Sequence, residues 1–182
     1  MRIEDCKSIK EYAQVVSQNL HDNGIDNILT GGACVSIYSN EKYRSNDLDF
    51  LIVDEVKLKK IRLALEELGF KESGRIFLHK KMEISVDLIS PPLTVGGEQI
   101  TKVNEIKENN TFLKLLFPTD CVKDRLAAYF YWDDQQSLNQ ALMVCAESKV
   151  DIENIREWSK REGMMKKFKI FEDEFNFNIL KK

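Results

Sequence analysis

The sequence is poor in the residues that build metal clusters, membrane spans and basic surfaces. Its only histidines are His21 and His79, and its four cysteines, Cys6, Cys34, Cys121 and Cys145, lie far apart in no metal-ligand spacing. That pattern argues against structural zinc and for reduced, mostly buried thiols. No apolar run approaches the about eighteen residues that a membrane-spanning helix needs. The start, Met1-Arg2-Ile3-Glu4-Asp5, has no signal-peptide pattern. The expectation is a cytoplasmic protein without a membrane partner. Positive charge is not in excess either, with 27 Lys and Arg against 30 Asp and Glu and a net charge of −3. This argues against a protein that coats nucleic acid by bulk attraction. Repeats, low-complexity tracts and a recognisable RNA-binding module are also missing.

What is present is an ordinary soluble composition. With 182 residues, 43% hydrophobic and 31% charged, one domain with a helical extension is expected. The most informative stretch runs from Thr30-Gly31-Gly32-Ala33-Cys34-Val35-Ser36 to Arg44-Ser45-Asn46-Asp47-Leu48-Asp49-Phe50. Ile25 to Leu29 reads as a short strand, and the Gly-Gly pair ends it where the backbone turns sharply or approaches a ligand. Ala33 to Ser39 then reads as a helix whose free N–H groups and positive dipole end suit phosphate oxygens. Leu48 to Val53 is an apolar, buried strand with Asp47 and Asp49 at its start. Residues two apart on a strand share a side, so the two carboxylates project together. Side by side they repel unless a cation sits between them, and Mg²⁺, which keeps waters and takes further ligands from phosphates, suits such a pair. That chemistry is phosphoryl or nucleotidyl transfer. The simpler alternative is a surface loop followed by a solvated strand end, with Arg44 pairing one acid.

Gly31-Gly32 followed by Arg44-Ser45-Asn46-Asp47-Leu48-Asp49-Phe50 resembles the signature of the nucleotidyltransferase superfamily, the DNA polymerase beta-like fold. The likeness is greatest to its minimal bacterial branch, which includes abortive-infection and toxin–antitoxin nucleotidyltransferases. The resemblance implies two Mg²⁺ ions held by the paired acids and a third carboxylate from a later strand. It also implies transfer of a nucleoside monophosphate from an NTP to a hydroxyl of an RNA (tRNA) or protein acceptor. By the same resemblance an antitoxin protein is an expected partner. The third acid is read as Asp87. Ile84, Val86 and Leu88 form one face of a strand that Pro91-Pro92 stops, and Glu83, Ser85 and Asp87 form the other. Glu83 is the weaker candidate on that face.

The resemblance further implies that Gly31, Gly32 and Ser36 cradle the triphosphate and that Asp87 accepts the acceptor's proton. Arg44 or Lys123, with Arg125 as a further candidate, would contact the phosphates; Arg44 has the alternative of pinning its loop to Asp47. Asp133 and Asp134 look like acids that follow in relatives. Cys34 lies inside the glycine motif, but nothing nearby supplies a base for a thiol nucleophile. Two other readings stay open. One is a non-catalytic nucleotide-binding or protein-interaction domain, and the other is an enzyme of RNA 3′ ends.

The remaining periodicities predict an α+β fold with a mixed sheet flanked by helices. A core over residues 1–118 is followed by a helical region over 119–182. Lys7 to Leu20 is an amphipathic helix with Gly24 as its stop, and Val56 to Leu68 is a second, stopped by Gly69. Strands are expected over 75–80 and 82–89, then two more through Ile100 to Ile106 and Phe112 to Leu116, turning at Asn109-Asn110. Helix is the alternative over 100–108. Thr119 caps a helix to Trp132, and helices follow from Ser137 to Leu180, divided at Gly163. The basic clusters Lys57, Lys59, Lys60, Arg62 and Lys160, Arg161, Lys166, Lys167, Lys169 read as solvated helix faces.

Overall fold

A computed structural model describes residues 2–108 and 111–179. The turn expected at Asn109-Asn110 and the helix end at Leu180 lie outside the described residues. After a short 3₁₀ turn at Ile3–Asp5, helix α1 spans Ile9–Asp22. Ser8 and Glu11 close a capping box at its start, which satisfies two orphan donors at once. Its C-cap is Asn23, and Gly24 follows in the left-handed region that ends the helix. The apolar positions Ile9, Ala13, Val16 and Leu20 form the buried stripe.

The strands are β1 (Asn27–Thr30), β2 (Asp47–Ile52), β3 (Phe70–Ser73), β4 (Ile76–His79), β5 (Ser85–Ile89), β6 (Thr94–Val95), β7 (Glu98–Gln99), β8 (Asn104–Glu108) and β9 (Thr111–Leu115). Seven of them form one mixed sheet in the order β3-β4-β5-β2-β1-β9-β8, while β6 and β7 make a separate small hairpin. The β2–β5 and β1–β9 pairs are parallel and the other pairs of the large sheet are antiparallel. Strand is therefore the outcome for 104–108, where helix had been the alternative, while Ile100 to Val103 lie outside any strand.

Helix α2 (Gly31–Tyr38) lies against β1 and β2, and α3 (Leu58–Glu67) packs on β3 and α1. The helical part begins at α4 (Pro118–Trp132) and continues as α5 (Gln135–Glu147), α6 (Ile152–Arg161) and α7 (Met165–Ile179). Both α4 and α5 pack on α2, so the helical part rests on the element that opens at the glycine pair.

One expected cap changes. Phe117 is the N-cap of α4 with Pro118 at its first position, a place where the missing N–H costs nothing. Thr119 lies inside the helix, and its Oγ1 accepts from the Asp151 N–H at 3.1 Å. Asp133 is the left-handed C-cap of α4, paired with Lys167, and Asp134 is the N-cap of α5. Both aspartates are thus helix punctuation.

Candidate active site

Helix α2 starts at the glycines themselves, so they form its first turn where a turn ahead of the helix was expected. Thr30 is the N-cap residue but gives α2 no side-chain cap; its Oγ1 donates to the Asp49 carbonyl at 3.3 Å. The first N–H groups of α2 are left for another acceptor. Gly31 has φ +65°, and a Cβ there would stand 2.0 Å from Asp49 Oδ2. Only glycine lets the helix start this close to the Asp49 carboxylate.

Register brings the acids together. Along β2 and β5, Asp47 pairs with Ser85 and Asp49 with Asp87. Strand alternation keeps all four side chains on one face, and Leu48, Phe50 and Val86 face the core on the other. The four line a cavity of about 370 Å³ with Gly32, Tyr43, Ser45, Ile76 and Arg125. Asp47 Oδ1 accepts a short hydrogen bond from the Ser85 hydroxyl, and Asp87 Oδ1 accepts from the Leu88 N–H at 2.8 Å. The Asp49 carboxylate has no hydrogen bond among the described residues.

Burial raises the Asp49 carboxyl to about 6; Arg125 opposes the rise, and Asp87 and Asp47 add to it. Arg125 itself is held by Asp124 through its Nε at 3.0 Å. Among the described residues no three acid, histidine or cysteine side chains converge as a ready-made metal cluster. The donor chemistry nevertheless fits a hard cation. Asp47, Asp49 and Asp87 are oxygen donors on adjacent strands, they line one cavity, and the strain on Asp49 is of the kind a bound cation relieves.

Other expected residues lie elsewhere or act differently. Ser36 is fully buried; its Oγ donates to the Gly32 carbonyl at 3.2 Å and accepts from the Ser45 N–H at 2.9 Å. It therefore ties the glycine turn to the segment leading into β2, with no free face for a phosphate. Ser45 continues the tie, its Oγ donating to the Asp47 carbonyl at 3.0 Å. Arg44 is exposed and lines a neighbouring cavity with Tyr12, Asn46 and Glu83. That position separates both Arg44 and Glu83 from the three aspartates.

Lys123 is only 1% exposed, its Nζ 2.9 Å from Glu98 Oε1 and 3.6 Å from Asp120 Oδ1. It braces the β6–β7 hairpin against α4 and does not line the acidic cavity. Cys34 is buried with its Sγ toward the Leu29 carbonyl, and burial pushes its thiol well up, as an inert structural cysteine requires. Of the cavity's residues, Ser85 was placed on the face of Asp87 in the sequence but given no role in the site. Tyr43 and Ile76 carry no sequence signal.

No family model matches the sequence, and no curated protein matches it. The backbone is nevertheless similar to solved structures. One is an antigenic nucleotidyltransferase-like protein from Paracoccidioides brasiliensis, with TM-score 0.58, 14% identity and 76% of each chain covered. Another is the antibiotic-resistance factor ANT(2'')-Ia, with TM-score 0.52, 11% identity, and 97% of this chain and 100% of that one covered. At these identities the likeness is one of fold. The chain has a nucleotidyltransferase-like α+β fold, and among the described residues no helix is long and apolar enough to cross a membrane.

Proposed function

We propose that this nucleotidyltransferase-like chain moves a nucleoside monophosphate from an NTP to an acceptor hydroxyl, breaking the α–β phosphoanhydride bond and releasing pyrophosphate, with Mg²⁺ held by Asp47, Asp49 and Asp87. The observation that carries the reading is the convergence of these three aspartates, from two strands in register, on one cavity roofed by the uncapped start of α2. Bound Mg²⁺ would neutralise the phosphates and the developing charge.

The chain's own residues would divide the remaining work. Gly31 and Gly32 let the triphosphate approach the first N–H groups of α2, where the helix dipole favours negative charge. Arg125, lining the same cavity, adds a fixed positive charge on the phosphate side. Ser85 orients Asp47 through its hydroxyl. Asp87, nearest the open edge of the sheet, takes the proton of the attacking hydroxyl, a role that needs an ionised carboxylate within hydrogen-bond reach. Ser36 and Ser45 hold the glycine turn and the start of β2 in register.

Isothermal titration of each NTP with Mg²⁺ into wild type and into Asp47→Ala/Asp49→Ala tests the reading. Metal-dependent binding lost in the double variant is the expected result. A folded wild type that binds no NTP contradicts it. A toxin role, with an antitoxin protein as counterpart, belongs to the same reading. It requires that expression of wild type arrests growth and that expression of the double variant does not.

A further inference from the structure

We propose that the acceptor is a nucleic-acid single strand, laid across the β3–β4 hairpin beside Asp87; this rests on the transfer reading above. Pairing partners across the sheet define two rows on the acid-bearing face. The first runs Asp49, Asp87, Ile76, Ser73, and the second runs Asp47, Ser85, Leu78, Lys71. Both rows leave the aspartates over an aliphatic shelf and end at the edge of the sheet. Leu78 is 44% exposed on that shelf, although Phe77 and Phe70 on the opposite face are buried. Among the described residues no helix covers the exposed Leu78, and strand spacing places the Lys71 backbone roughly 14 Å from that of Asp47. That is the span of the last few nucleotides of an extended strand whose terminal hydroxyl meets Asp87.

The charge of the hairpin selects the ligand. Between Phe70 and Met82 the chain carries Lys71, Arg75, Lys80 and Lys81 against Glu72 alone, and Glu72 is held by Arg62. All four cations are exposed, and none forms an ion pair among the described residues. Several cations elsewhere on the molecule are matched, as in Lys42–Glu147, Lys114–Asp26, Lys167–Asp133 and Arg161–Glu98; the hairpin differs in gathering four unmatched ones within eleven residues. Glu83, just beyond Lys81, faces the separate cavity that holds Arg44.

A lysine on an edge strand guards against strand pairing. That accounts for Lys71 but not for Arg75, Lys80 and Lys81, which stand in the two turns on either side of the shelf. An unmatched positive patch in a chain of net charge −3 attracts a polyanion and repels a polycationic small molecule. Ile76 and Leu78 give an apolar floor against which base faces pack, and the flanking cations follow the backbone as they do in single-strand grooves.

The test is fluorescence anisotropy of a short 5′-labelled single-stranded RNA with wild type and with Lys71→Ala/Arg75→Ala/Lys80→Ala/Lys81→Ala. The same two proteins are titrated with Mg·NTP, and thermal melts establish that both are folded. Each phosphate contact contributes about 0.7 to the salt slope, so loss of four lowers it by roughly 3 and weakens binding at least ~10-fold at low salt. Weakened RNA binding with unchanged Mg·NTP affinity supports the proposal. RNA binding equal in both proteins, or label transferred to a protein or a polycationic sugar in place of RNA, overturns it and leaves nucleotidyl transfer standing. Absence of Mg·NTP binding by wild type overturns the transfer reading itself, and the acceptor assignment with it.

Discussion

Asn in place of Asp49 removes a charge that the fold holds against its preference, and it should stabilise the metal-free protein. Burial, reinforced by Asp87 and Asp47, lifts this carboxyl from 3.8 to about 6, net of the opposing pull of Arg125. A rise of two units corresponds to about 3 kcal/mol against the ionised form. Screening in a cavity open to water leaves about 1–2 kcal/mol of that. The sign follows from proton counting. Between pH 3.8 and about 6 the folded protein holds more of the Asp49 proton than the unfolded chain does. Wild-type stability contributed by this group is therefore full below the window and falls as pH rises through it.

Asp49→Asn does not titrate there. In chelator-treated protein it should melt roughly 2–8 °C above wild type at neutral pH, at about 2–4 °C per kcal/mol. The difference should shrink to nothing near pH 4. Circular-dichroism melts at both pH values measure it. A variant less stable than wild type at neutral pH, or a gain that is the same at both pH values, refutes the electrostatic account. Adding Mg²⁺ should raise the wild-type melting temperature by mass action and leave Asp49→Asn nearly unmoved.

Gly31→Ala forces a side chain into a left-handed residue and against Asp49 Oδ2. It should cost about 1–3 kcal/mol in denaturant melts and reduce Mg·NTP affinity at least ~10-fold by calorimetry; unchanged affinity would remove Gly31 from the phosphate path. Lys123→Met leaves Asp120 and part of Glu98 without their cation. Stability should fall by about 1–3 kcal/mol with Mg·NTP affinity retained. The opposite pattern, intact stability with lost affinity, would return Lys123 to phosphate binding.

The strand, glycine pair, helix and acidic strand could be read from sequence because each rests on contacts within a few residues. Alternation alone puts Asp47 beside Asp49 and sets Asp87 apart from Ile84 and Val86. Ahead of Asp47 the chain is not in a strand, so alternation says nothing of residues 43–46; there Ser45 and Tyr43 line the acidic cavity while Arg44 and Asn46 line the neighbouring one. The placing of Arg44 in the neighbouring cavity depends on the loop before β2, which no local pattern fixes. Lys123 was beyond local reading, since its burial depends on Glu98, which arrives from a hairpin of two-residue strands. Ser36 carried the right chemistry, but the partner that takes up its hydroxyl, the Ser45 N–H, is fixed only when the loop folds back. Strand β3 has only Phe70 buried, so its polar edge gave no apolar run to find.

The central claim is that three aspartates on one sheet face perform metal-dependent nucleotidyl transfer, with Asp87 serving the acceptor. The most direct measurement is transfer of α-labelled NTP to single-stranded RNA by wild type and by Asp87→Asn, with Mg·NTP binding measured on the same samples. The account predicts labelled RNA from wild type and a loss of at least ~100-fold in Asp87→Asn, the usual contribution of a positioned base, while Mg·NTP still binds. Transfer by Asp87→Asn at the wild-type rate would contradict it.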